Sequence, residues 1–210
     1  MKKFLLLFGL SCITFLGNAQ VETTRGYLMA NVGGNYASFF QSSSNTTDLH
    51  GILGPSAGLS IRVIAPTWWG FETGLNYAVK GADFKDSIGK ARISYAGASF
   101  DGLLFFPLVH DNNVYVGMGI YTAYALAGKL KSDSTETDID FGGDTWKSFD
   151  VGMRFKAGIT IRNTIGFGVH YDLGLVPVYT GVDLRGETNH GRNSVFNLSA
   201  YIKLASIFNK

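Results

Sequence analysis

Two consecutive segments of this chain alternate apolar residues with polar residues or glycine in a strict period of two. In the segment 149–161 every second residue from Phe149 is apolar, and in the segment 165–175 the same holds from Ile165. A short polar break separates them: Arg162, Asn163 and Thr164. Successive side chains of a strand point to opposite faces, so this pattern predicts a β-hairpin with one apolar face.

The residue types on the polar face indicate what surrounds the hairpin. Each run exceeds the roughly 5–6 residues of an ordinary strand and reaches the roughly 9–11 that a tilted strand needs to cross a bilayer. A soluble ligand-binding barrel also alternates, but its apolar side points inward. The polar side here is rich in glycine, which weakens an exposed strand but suits the narrow bore of a barrel of about eight strands. We therefore predict that the apolar face contacts lipid and that the glycine-bearing face lines a lumen.

The amino terminus has the parts of a secretory signal peptide. Lys2 and Lys3 precede an apolar run at 4–16, and small residues lead to Ala19. The sequence therefore predicts a signal peptide at 1–19 and one exported β-barrel domain at 20–210.

Charge and cysteine content exclude several function classes. With Lys2 and Lys3 removed from the 18 basic residues, 16 remain against 16 acidic ones, so the mature chain is neutral and no nucleic-acid partner is expected. The single cysteine, Cys12, lies within the signal, so no disulfide or thiol chemistry is expected. No cofactor motif and no metal quartet is present, and no cofactor is expected.

After Gln20 no apolar run approaches the length of a membrane helix. Membranes permit only helices or closed barrels, because open strands leave backbone groups unpaired in hydrocarbon. An exported chain that can cross only with strands therefore points to a bacterial outer membrane.

Continuing the alternation along the chain predicts an all-β fold, an eight-stranded antiparallel transmembrane β-barrel with up-and-down (meander) topology. The predicted strands lie at about 26–39, 55–64, 71–80, 92–106, 114–126, 149–161, 165–175 and 194–204. Long loops (41–54, 81–91, 128–146 and 177–193) alternate with short turns (65–68, 107–112 and 162–164). This asymmetry is typical of outer-membrane barrels and predicts periplasmic termini.

The fourth strand is ambiguous in phase. Ile93 and Tyr95 are apolar on one parity, whereas Phe100, Leu104 and Phe106 are apolar on the other. A β-bulge near Gly97 would reconcile the two halves.

Three aromatic residues at the start of the third strand, Trp68, Trp69 and Phe71, predict an aromatic girdle at the membrane interface. A soluble core cluster is the alternative. Neighbouring residues of a strand face opposite ways, so one core could not bury both indoles.

Ten polar side chains fall on the inward parity and are the candidate functional residues. We interpret them as a lumenal charge network that pairs within a sealed plug, because buried charges must pair. The alternatives are an ion path or a lumenal enzyme, the latter with His170 and Asp172 as a hydrolase pair. The predicted network comprises Arg62, Glu72, Lys80, Asp101, Asp150, Arg154, Lys156, His170, Asp172 and Lys203.

Several short motifs resemble a known family. They are Asn18-Ala19-Gln20, Gly74-Leu75-Asn76-Tyr77 with Lys80-Gly81, Tyr115-Val116-Gly117-Met118-Gly119, and the run from Val169 to Leu175. In these motifs the chain resembles the small outer-membrane β-barrels of Bacteroidetes, labelled PorT-like or porin-family, which are similar to the eight-stranded OmpA and OmpX barrels. The resemblance implies an outer-membrane location and carries over no catalytic residue.

These observations favour a non-enzymatic outer-membrane barrel that serves as a membrane scaffold, presents surface loops, or assists a secretion or uptake assembly. The expected partners are outer-membrane lipid, lipopolysaccharide and other envelope proteins. A narrow porin-like channel for small solutes or ions is the alternative function, and a soluble periplasmic barrel is a third. Acidic residues in the longest loop would keep their distance from lipopolysaccharide or bind it through divalent ions.

Overall fold

The structure is a computed structural model of the chain. It describes residues 24–41, 49–66, 68–84, 89–108, 112–132, 135–143, 145–182 and 188–209. The predicted signal peptide lies outside the described residues. The strands are β1 (Arg25–Gln41), β2 (Leu49–Ile64), β3 (Trp69–Phe84), β4 (Gly89–Pro107), β5 (Asn113–Ser132), β6 (Thr135–Asp138), β7 (Phe149–Ile161), β8 (Ile165–Gly174), β9 (Tyr179–Val182) and β10 (Thr188–Asn209).

Eight of these strands form a closed antiparallel meander. Each pairs with the next along the chain in the order β1-β2-β3-β4-β5-β7-β8-β10, and β10 pairs with β1 to close the ring. The predicted fold, an eight-stranded up-and-down barrel, is confirmed. No helix in the described part of the chain has the length and apolar character needed to span a membrane.

The register of the ring sets the tilt of its strands. Following paired residues once round the ring from Leu28 leads back to Ser38, ten residues further along β1. A stagger of this size in eight strands corresponds to a tilt of about 40° and a bore that side chains can fill.

The hairpin predicted from the segments 149–161 and 165–175 consists of β7 and β8, and the chain turns between them as expected. Arg162 and Asn163 have φ of 49° and 50°, and the amide of Thr164 donates to the carbonyl of Ile161 at 3.0 Å. Two consecutive residues at positive φ form the tight turn whose twist matches paired strands. We call this end of the barrel, with Ala65 and Pro66, the turn end.

The opposite end, the loop end, differs from the prediction because the strands continue further. β3 extends to Phe84, β4 begins at Gly89 and β5 continues to Ser132, so much of the predicted loops 81–91 and 128–146 is paired strand. The predicted loops 41–54 and 177–193 are also too long, since β2 begins at Leu49 and the short strand β9 pairs with β10. Apolar side chains inside the barrel at this level hold the extensions together.

The predicted bulge near Gly97 is wrong. Gly97 pairs regularly with Asn76 and with Ala123, and odd-numbered residues of β4 face inward over the whole strand. The register shift lies between Ser94 and Tyr95, where β5 carries the extra residue. Ile93 and Tyr95 are apolar and inward because the interior changes from polar to apolar at their level.

Candidate functional site

The outer surface of the barrel is apolar on every strand of the ring. Leu53 and Leu75 are 71% and 70% exposed, and Leu126 and Leu198 are similarly open. Inward positions on the same strands carry buried polar groups. A soluble ligand-binding barrel has the reverse polarity, so the arrangement contradicts the soluble alternative.

The three predicted girdle residues lie together at the turn end. Trp68 and Trp69 are 63% and 51% exposed, and the ring of Phe71 stacks on Phe100 at 5.9 Å. The carbonyl of Trp68 accepts a hydrogen bond from the amide of Phe105 at 2.7 Å, which fixes the backbone beside the two indoles.

An aromatic layer fills the lumen next to the turn end. Leu103, Phe105 and Tyr115 are buried together, and Tyr201 packs against them. The guanidinium carbon of Arg62 lies 4.5 Å from the centre of the Tyr115 ring and 5.1 Å from that of Tyr201. Aromatic faces attract cations, so these rings partly compensate for the lost hydration of Arg62.

Above this layer, two cations and two carboxylates form a continuous buried chain. Arg62 Nε donates to Glu72 at 2.6 Å, and Lys156 Nζ lies 2.8 Å from the other oxygen of Glu72 and 3.2 Å from Asp101. Arg62 also donates to the hydroxyl of Thr160 at 3.2 Å. β2, β3, β4 and β7 each contribute one of the charged groups, so the network ties four strands together across the bore.

Two further pairs complete the interior electrostatics. Arg154 donates to both oxygens of Asp172, at 2.6 and 2.8 Å, in a fork-like bidentate contact. Lys80 Nζ lies 2.9 Å from Asp150, which also accepts from Tyr121 at 3.1 Å and from Asn193 at 2.8 Å.

Eight of the ten predicted network residues are thus brought into ion pairs, and two are not. Lys203 faces inward with its ammonium 5.1 Å from the Tyr27 ring centre, and within the described residues no acidic partner approaches it. His170 is half-buried and lines the same interior. Asp172 directs both oxygens to Arg154 rather than to His170, so the geometry of a hydrolase pair is not formed.

An apolar layer, which we call the loop-end cap, closes the other end of the lumen. It consists of Phe39, Phe84, Ile93, Ile139, Trp146, Val178 and Tyr179, with small side chains around them. The Tyr179 ring lies 4.7 Å from Trp146 and 5.4 Å from Phe84. The backbone also crosses the opening, because Thr180 N donates to Thr145 O at 2.7 Å and Lys147 N to Val178 O at 2.9 Å.

Two interior glycines, Gly158 and Gly168, lie directly against the hydroxyl groups of interior tyrosines. A Cβ at Gly158 would lie 2.5 Å from the Tyr115 hydroxyl and 2.6 Å from the Tyr201 hydroxyl, and a Cβ at Gly168 would lie 2.8 Å from the Tyr115 hydroxyl. Real Cβ atoms do not approach so closely, and at Gly158 the carbonyl oxygen of Phe167 also lies 2.5 Å away, so a side chain there would force the phenols and the neighbouring strand to shift.

The interior leaves little free space. A cavity of about 60 Å³ remains, lined by charged and amide side chains that include Arg154, Lys156, His170 and Asn197. This volume accommodates a few water molecules.

Sequence reasoning missed several interior groups. Tyr115, Tyr121, Asn35 and Asn197 lie on the inward parity of the predicted strands, but they were not among the ten candidate residues. In the structure Asn197 donates to Asn35 at 2.5 Å and to Ser56 at 2.7 Å. Asn193, assigned to a loop, is buried beside Asp150. The useful signal was the run of inward amide and phenol groups at the level of the charges.

Several titratable groups at the loop end have shifted pKa values. Burial in the cap raises the pKa of the Tyr179 phenol. At the loop end the exposed ion pair of Lys129 with Glu136 raises the pKa of Lys129 and lowers that of Glu136. Among the described residues no cluster of three or more histidine, cysteine or acidic side chains could hold a metal ion.

Comparison with solved structures finds other small barrels. Neisserial surface protein A is 10% identical, with 84% of this chain and 97% of that chain covered and a TM-score of 0.48. OprG of Pseudomonas aeruginosa is 13% identical, with 87% and 94% covered and a TM-score of 0.44. The attachment invasion locus protein Ail of Yersinia pestis, in a complex with a heparin analogue, is 11% identical, with 85% and 99% covered and a TM-score of 0.42.

A search of curated proteins finds no match. A family model described as an outer membrane protein beta-barrel domain matches residues 18–180 of the 210. This match spans most of the closed ring, including the charged interior and the apolar belt. The chain belongs to the outer membrane protein beta-barrel domain family.

Proposed function

We propose that this barrel is a non-conducting, non-enzymatic anchor that presents its loop end outside the bacterial outer membrane. The observation that carries the proposal is an apolar belt around a lumen filled in three successive layers. The belt suits acyl chains, because an apolar surface of this extent is not maintained in water by monomeric proteins. The filled lumen leaves the loop end as the part available for interaction.

The three layers act in series against ion passage. An ion entering from the turn end meets Phe105, Tyr115 and Tyr201, then the paired charges, and then the loop-end cap. Every carboxylate in the middle layer already has a cation at 2.6–3.2 Å. Displacing such a pair is costly, because an uncompensated charge would remain buried.

We therefore expect the purified protein to be silent in a planar lipid bilayer. Insertion is checked independently by its heat-dependent shift on SDS gels, and a general porin in the same membrane serves as the positive control. Discrete single-channel steps from the wild-type protein would favour the alternative function, a narrow channel for small ions.

The belt and girdle lead to a fluorescence prediction. Trp146 is buried in the loop-end cap whereas Trp68 and Trp69 are exposed at the turn end. In vesicles of brominated phosphatidylcholine, the variant Trp146→Phe is expected to be strongly quenched and the variant with Trp68→Phe and Trp69→Phe only weakly. Equal quenching of the two variants would show that Trp68 and Trp69 do not lie at the lipid interface.

The remaining assignments belong to the same proposal. Short turns at one end and longer extensions at the other favour periplasmic termini after removal of a signal peptide at 1–19. The quoted sequence motifs favour a PorT-like barrel of Bacteroidetes, in which a secretion or uptake assembly is the partner. Affinity purification from solubilised outer membranes tests this role, and recovery of the barrel alone would argue against it.

A further inference from the structure

The outer face of the barrel changes from apolar to cationic where β4 and β5 continue above the belt. Outward positions of β4 from Phe106 to Ser94 and of β5 from Val114 to Leu126 carry no charge. Further toward the loop end the outward positions are basic on both strands: Arg92 and Lys90 on β4, and, after Ala127, Lys129 and Lys131 on β5.

The strand register places these four cations directly opposite one another. Arg92 pairs with Lys129, and Lys90 pairs with Lys131. Like charges in directly opposed positions of a sheet are destabilising. Two such pairs in succession concentrate four positive charges on one stretch of the wall, where a bound anion would relieve the repulsion between them.

The surrounding charges only partly neutralise this patch. On β6, Glu136 forms an ion pair with Lys129 and is paired in register with Lys131, and Asp138 is paired in register with Lys129. On β3, Asp83 is paired in register with Lys90. Four cations against three carboxylates leave an excess of positive charge, and of these four cations only Lys129 forms an ion pair with a described residue. Arg92 donates to the carbonyl of Leu53 at 3.2 Å, which holds its guanidinium against the wall.

A shallow surface cavity lies between these side chains. Its volume is about 320 Å³, and its lining includes Lys90, Arg92, Lys131 and the outward Val79 of the belt. It therefore has a polar, cationic side toward the loop end and an apolar side toward the bilayer. An anionic group tethered to an acyl chain would satisfy both sides at once.

We propose that Lys90, Arg92 and Lys131 form a binding site for the phosphate of a lipid headgroup at the loop end of the belt. The inference rests on the proposed embedding of the belt in the membrane and names the lipid that the loop end holds. The acidic rim on β6 limits the site to one phosphate group, because a second would meet Glu136 and Asp138. In the leaflet proposed here, the phosphorylated lipid is the glycolipid portion of lipopolysaccharide.

Native mass spectrometry of the detergent-extracted barrel with added lipid A tests the site. The variant with Arg92→Gln and Lys131→Gln removes two charges without touching the Lys129 ion pair. A loss of roughly 30-fold in lipid A binding is expected, since each cation near an anionic surface contributes about fivefold to the affinity and the two contributions multiply. The matched control, Arg25→Gln with Arg162→Gln, removes two exposed cations at the turn end and is expected to bind as the wild type does.

Two further arms distinguish the source of the phosphate. Dephosphorylated lipid A is expected to bind the wild type and the double variant equally. Inorganic phosphate is expected not to displace lipid A. Equal binding by the double variant and the wild type, or displacement by inorganic phosphate alone, would overturn the proposal. Quenching by brominated lipid is measured in parallel, because it would persist if only this site were wrong and fail if the belt were not embedded.

Discussion

Replacing Arg154 by Met is expected to lower the free energy of unfolding by about 3–5 kcal/mol, the largest effect of any single substitution considered for this barrel. Asp172 would remain buried with both oxygens deprived of the guanidinium that binds them at 2.6 and 2.8 Å. The cost arises from the uncompensated carboxylate and not from lost packing, because Met preserves much of the side-chain volume. Urea unfolding in lipid vesicles, followed by tryptophan fluorescence, measures the change.

A double variant separates these two causes. Adding Asp172→Leu to Arg154→Met removes the orphaned carboxylate and is expected to restore most of the lost stability, since apolar replacements of buried ion pairs are often neutral. An exposed pair provides the second control: Lys129→Gln is expected to leave unfolding unchanged, because solvent screens the Lys129–Glu136 pair. If Arg154→Met were as mild as Lys129→Gln, the interior would be hydrated rather than sealed.

The second large effect is expected from replacing the interior glycine Gly158 by a larger residue. Gly158→Leu is predicted to destabilise the barrel by about 1–3 kcal/mol or more, as overpacking does. Even its Cβ would lie 2.5 Å from the Tyr115 hydroxyl and from the carbonyl of Phe167, and the backbone carbonyl cannot move aside without breaking strand pairing. The measurement is the urea midpoint together with the fraction that refolds into vesicles.

An outward glycine offers the matched control. A Cβ at Gly102 meets only the carbonyl of Met118 at 3.7 Å, and this residue is exposed on the belt. Gly102→Leu is therefore expected to be neutral or slightly stabilising, because it restricts the unfolded chain and adds apolar surface toward lipid. Equal damage at both positions would contradict the assignment of Gly158 to a crowded interior.

The alternation of apolar and polar residues was sufficient to predict the strands of the barrel wall. Alternation along β7 and β8 assigned Phe155 and Phe167 outward and Arg154 and Asp172 inward, and the structure has them so. The two faces of a strand meet different surroundings, so apolar and polar residues alternate along it. This alternation can be recognised from neighbouring residues alone, without knowing which strands pair. The number of strands follows from the same pattern.

The inward or outward assignment of residues on β4 could not be predicted from neighbouring residues alone. Ile93 and Tyr95 were read as displaced by a bulge because apolar residues were expected only on the outside. In the structure they face inward: Ile93 belongs to the loop-end cap, and Tyr95 packs in the same buried cluster as Phe39 and Tyr179. The cap is assembled from four distant parts of the chain, and no window of neighbouring residues contains that information.

The partners of the charges are also a tertiary property. The sequence identified Lys156 as inward, but its contacts with Glu72 on β3 and Asp101 on β4 depend on the stagger of the closed ring. That stagger places residues separated by 84 and 55 positions at one level of the bore. Apart from Ile93 and Tyr95 on β4, the sequence by itself therefore determined which side chains face outward and which face the lumen, because that choice is made residue by residue. Only closure of the ring decided which of the inward groups touch, because contact across a bore depends on register, tilt and diameter together.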